Sequence, residues 1–97
     1  MGTYKFTGEL QRWRSPNGDW WFIRVSDQVS DEILELPLPR RGFGAVRVQV
    51  QVGTSEWGTS IFPSNRIKAY MLPIKAQIRK TEQLGEGDLV MALIKIV

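Results

Sequence analysis

Leu72-Pro73-Ile74-Lys75-Ala76-Gln77-Ile78-Arg79-Lys80, followed shortly by Gly85-Glu86-Gly87-Asp88-Leu89-Val90, is the stretch on which the fold turns. Proline suits the first turn of a helix, where its missing N–H is not needed. Pro73 therefore opens a short basic segment in which Ile74 and Ile78 share one face and Lys75 and Arg79 another. Gly85 suits the left-handed position just beyond a helix C-terminus, which sets this helix at about residues 74–83. Gly87-Asp88 then turns the chain into a terminal strand, Leu89 to Val97. Its nearly unbroken apolar composition predicts burial on both faces.

The upstream sequence repeats that order. Residues 4 to 14 alternate, with Tyr4, Phe6 and Leu10 set among Lys5, Thr7, Glu9 and Gln11, so they read as a strand with a bend at Gly8. Ser15-Pro16-Asn17-Gly18-Asp19 is a turn. Trp20-Trp21-Phe22-Ile23-Arg24-Val25, aromatic and β-branched, is a second strand. Ser26 or Asp27 caps a helix over 27–35, in which Val29, Ile33 and Leu36 recur at helical spacing. Pro37-Leu38-Pro39 ends it. Arg40-Arg41-Gly42-Phe43-Gly44 is a basic loop. Val46, Val48, Val50 and Val52 then alternate with Arg47, Gln49 and Gln51, the cleanest period-2 pattern in the chain. Two further strands follow, Trp57 to Phe62 and Ile67 to Leu72. Residues 4–52 and 57–97 thus each contain two strands, a short helix and a third strand. Six strands in two matching halves predict one closed barrel domain over residues 1–97 with pseudo-twofold symmetry and no exposed edge. The expected core is Trp20, Phe22, Val46, Val48, Val50, Ile61, Leu72, Ile78, Leu89 and Leu93.

Composition removes whole classes of chemistry. The 97 residues include no cysteine and no histidine, so there is no thiolate nucleophile, no Cys-based metal site and no near-neutral imidazole base. Serine and threonine have no histidine to activate them, and no Ser-x-x-Lys occurs. The sequence points to no catalytic residue, no metal and no cofactor. Asp27, Asp31 and Glu35 share a helix face, but carboxylates at helical spacing without loop ligands make a poor calcium site. No apolar run approaches the roughly 20 residues that span a bilayer, and no signal-peptide pattern opens the chain. The expectation is a cytoplasmic protein without a membrane partner.

Several groups of residues taken in order resemble a bacterial family of small double-split β-barrels, a domain of unknown function that occurs alone or ahead of an OmdA-like bacteriocin-protection domain. They are Trp20 with Phe22-Ile23, Val46-Arg47-Val48-Gln49-Val50, Thr59-Ser60-Ile61-Phe62-Pro63, Leu72-Pro73-Ile74-Lys75 with Ile78-Arg79-Lys80, and Gly87-Asp88-Leu89-Val90. The terminal third is also similar to AbrB-type regulators and MazE-type antitoxins, which build a comparable barrel from two chains and bind DNA through it. The resemblance implies a six-stranded barrel in a single chain. It also implies that Trp20 is the core residue of its pair.

The formal charge is +3, and the signs are segregated: residues 27–35 carry four acids and no base, residues 65–80 five bases and no acid. The leading expectation is a binding or protein-interaction module whose partner the sequence does not name. The alternative is an AbrB-like DNA-binding regulator. Its phosphate contacts would be Arg40, Arg41 and Arg47, since guanidinium matches phosphate geometry and glycine allows close backbone approach. A competing basic patch is Lys75, Arg79 and Lys80. Neighbouring strand residues face opposite ways, so Trp21 is the candidate exposed aromatic contact.

Overall fold

The computed structural model describes residues 2–37 and 44–97. Six antiparallel strands close into a barrel: β1 (Thr3–Trp13), β2 (Trp20–Arg24), β3 (Val46–Val52), β4 (Ser55–Ser64), β5 (Ala69–Pro73) and β6 (Leu89–Ile96). Around the barrel the order is β1-β2-β5-β4-β3-β6. Helix α1 (Asp27–Leu34) follows β2, and α2 (Ala76–Thr81) follows β5. Exchanging the two halves leaves this order unchanged, as the pattern predicted. The pseudo-twofold axis passes beside the Ile23–Leu72 pair. On either side of it Val25 N–H donates to Tyr70 C=O and Ile74 N–H to Trp21 C=O, each at 2.9 Å. Among the described residues, no helix is long and apolar enough to cross a membrane.

The two long strands each serve two neighbours. β1 pairs with β6 from Thr3 to Glu9 and with β2 from Leu10 to Trp13. β4 pairs with β3 from Ser55 to Ile61 and with β5 only from Phe62 to Ser64. Where β1 changes partner, a Cβ on Gly8 would lie 2.8 Å from the Arg24 carbonyl oxygen, so only glycine lets the backbones cross that closely.

The interior is lined by alternate residues. Phe6, Leu10, Ile23, Val48, Val50, Ile61, Leu72 and Ile94 are all within a few per cent of full burial, and Val29, Ile33 and Ile78 bring the helices onto the same core. The period-2 reading of β3 holds residue by residue, with the four valines inside and Arg47, Gln49 and Gln51 outside.

β2 and β6 depart from expectation. Trp20 is 52 % exposed, and it is Trp21 that packs against the core. The inward row of β2 is set by Ile23, which pairs with Leu10 and Leu72; Trp21 shares its parity, and Trp20 and Phe22 do not. Phe22 is nevertheless fully buried, because Trp13 covers it edge-on at 4.6 Å on the barrel's outer wall. β6 is not buried on both faces. Val90, Ala92, Ile94 and Ile96 point inward, while Leu89 and Leu93 are 75 % and 37 % exposed. The latter two pair with Glu9 and with Lys5 and Gln51, in rows that face water.

The helix after β5 is shorter than predicted. Pro73 ends β5, paired with Phe22, and Lys75 rather than a residue beside the proline is the N-cap. Its C-terminus is closed by Gln83, at φ 57°, with Leu84 N–H donating to Arg79 C=O at 2.8 Å and Gln83 N–H to Lys80 C=O at 3.3 Å. This is a Schellman arrangement with glutamine in the left-handed place. Gly85 instead begins the next turn, its N–H donating to Asp88 Oδ2 at 2.7 Å. Ser26 caps α1, accepting from Val29 N–H at 3.3 Å.

Candidate functional site

A groove of about 280 Å³ opens where β5 leaves β4 to enter α2. The split puts it there: the β4 segment before Phe62 has β3 on one side and no β5 on the other. Trp57 and Gly58 of that segment form one wall, Ile74, Lys75 and Arg79 the second, and Trp20 and Trp21 the floor and lip.

Trp21 is the centre of this arrangement. The Arg79 guanidinium lies 4.1 Å from its ring centroid and that of Arg12 5.1 Å. Each cation sits against the negative face of the indole. Both guanidiniums are tethered. Arg79 Nε donates to the Ile74 carbonyl at 3.2 Å, and Arg12 Nε donates to Asp19 Oδ2 at 2.6 Å with an ion pair alongside. Asp19 thus neutralises Arg12. Lys75 is exposed beside them, with no ion pair to any described residue. The groove is therefore aromatic and cationic on balance, with Trp20 available at its lip.

The basic residues singled out in the sequence are regrouped. Arg40 and Arg41 lie outside the described residues. Arg47 stands on the outer face of β3 with its guanidinium over Gly58; a Cβ there would meet Nη2 at 3.4 Å. Gly58 lines the groove, whereas Arg47 itself does not. Lys80 is exposed in the last turn of α2 and does not line the groove. Trp21 is half-buried beneath two guanidiniums and is not an exposed contact; Trp20 takes that place. The reversal follows from strand parity, which the tandem Trp20-Trp21 leaves open. Trp57 and Asp19 escaped the sequence reading because only the fold brings them to the groove.

A second hollow of about 300 Å³ lies between α1 and the β4–β5 turn. Its charged residues, Asp31 and Lys68, are of opposite sign, so it carries no comparable bias. Asp27 of the acidic helix face accepts from Arg24 Nη2 at 2.6 Å. Among the described residues no three acidic side chains gather closely enough to hold a metal ion.

A family profile described as a domain of unknown function, DUF1905, matches residues 6–94. The chain belongs to the DUF1905 family. The match runs from within β1 to within β6, so every residue that lines the groove of this DUF1905 barrel lies inside it. No curated protein matches the chain.

Proposed function

We propose that this DUF1905 barrel is a non-catalytic binding module, and that its groove takes an extended, acidic segment of another protein. The observation that carries the reading is Trp21 with the guanidiniums of Arg12 and Arg79 both stacked on its ring, and Trp20 and Lys75 exposed at the lip. Pre-positioned guanidiniums over an indole lose little freedom when an anion arrives. Tryptophan and arginine are also the residue types that dominate binding energy at interfaces. The absence of histidine and cysteine from the sequence supports a role without chemistry. The test is an anisotropy titration with a fluorescein-labelled acidic peptide containing tyrosine. Binding is expected to weaken roughly tenfold in Arg79→Ala and in Lys75→Ala, the loss of one charge-assisted contact. No binding at tens of micromolar peptide overturns the reading.

DNA is the second reading, favoured by the placement of the Arg47 guanidinium over Gly58, a residue of the groove wall. Short random duplex replaces the peptide in the same titration. Phosphate binding declines steeply and log-linearly with salt, and Arg47→Ala flattens that slope. Affinity for duplex without such a slope removes this reading.

A further inference from the structure

We propose that the outer face of β6 is a self-association surface, on which a second copy of the chain docks antiparallel about a twofold axis near Met91. Of the six large apolar residues exposed in the described structure, four lie on this strand or directly after it: Leu89, Met91, Leu93 and Val97. Alternation puts Leu89, Met91 and Leu93 in one row, and the flanking strands border the row with polar side chains. A contiguous apolar ridge inside a polar rim is the pattern of an interface.

The charges around the ridge identify the occupant. Glu9 pairs with Leu89, and Asp88 and Glu86 lie beyond it; Lys5 pairs with Leu93, and Lys95 and Arg47 lie beyond that. The face therefore runs from acidic to apolar to basic along one direction. Thr7, opposite Met91, marks the midpoint, with Glu9 and Lys5 two residues to either side. A twofold axis there lays Glu9 of one copy against Lys5 of the other, twice over, while the leucines interleave. An isologous contact must be complementary to itself, and this one is. Among the described residues Lys5, Glu9 and Lys95 have no ion-pair partner within the chain. β6 lies across the barrel from β5, so association leaves both grooves open and facing away from each other.

Sedimentation velocity over roughly 10–500 µM, the range in which a modest interface titrates, is expected to show a monomer–dimer equilibrium. Met91→Asp sets two like charges at the axis and is expected to weaken it at least tenfold. Met91 is 56 % exposed, so melting in dilute solution is expected to stay unchanged. Glu9→Lys and Lys5→Glu should each weaken association alone. Mixed together, the two variants should associate, because the acidic end of each pair is then restored across the contact. A protein that is monomeric over the whole range overturns the proposal, and so does a dimer indifferent to Met91→Asp. Failure of the mixed variants to complement overturns the antiparallel arrangement.

Discussion

Ser30 shows how much one small side chain can hold. It is the one buried polar residue among those described. Its hydroxyl donates to the Val25 carbonyl and accepts from the Tyr70 amide, both at 3.2 Å, fastening α1 to the end of β2 and to β5 at once. Ser30→Ala would leave a buried donor and acceptor unpaired, at a cost of about 1–3 kcal/mol. Urea denaturation is expected to show that loss, with Ser30→Thr intermediate and Gln28→Ala, on the exposed side of the same helix, near the parent. Nothing in the sequence marks Ser30: a serine in a helix reads as solvent-facing, and its partner lies forty residues away. Trp21 and Gln83 were hidden for related reasons. Adjacent tryptophans give no parity, and Gly85 offers the left-handed position more cheaply than glutamine, yet the helix ends two residues too early to use it.

At the scale of the element, legibility follows alternation. β3 has valine and polar residues in strict turn, so its inner face was readable before any neighbour was known. β6 has apolar residues at nearly every place, and only pairing with Glu9, Lys5 and Gln51 shows which row is wet. Stability should follow the observed rows. Val48→Ala and Ile61→Ala, both at fully buried positions, are expected to cost roughly 1–4 kcal/mol each through lost burial and the cavity left behind. Leu89→Ala in dilute solution is expected to stay within about 0.5 kcal/mol of the parent, as is usual for exposed sites. Equal losses at Leu89 and Val48 would contradict the β6 assignment. The groove was legible only in its ingredients. Lys75 and Arg79 stood out as charges, but the split that joins them with Trp57 belongs to strand pairing.

For the whole molecule, the repeated half is not an independent unit. Both neighbours of β3 come from the second half, and both neighbours of β6 from the first. Closure was predictable from six strands in two matching sets; this exchange of strands between halves was not, because the pattern is the same whether halves pair within or across. Fragments 1–53 and 54–97 are therefore expected to be unfolded when separate, as judged by circular dichroism, and to recover β structure when mixed in equal amounts. A fragment that folds alone would show that the halves are self-sufficient. The pairing is also remote in sequence, which places folding toward the slower end for a domain of this size.

The β1–β6 pair has a mechanical side. Thr3 lies opposite Lys95, and Ile96 N–H donates to Gly2 C=O, so the strands meet with the start of one beside the end of the other. Tension applied through residues 3 and 95 would part their hydrogen bonds singly, like a zip, whereas tension through residues 3 and 89 would strain the row in concert. Unfolding under force is a rate process, so the same barrel should yield at low load in the first geometry and resist in the second. A motor that pulls on either end of this strand pair would find the barrel easy to open.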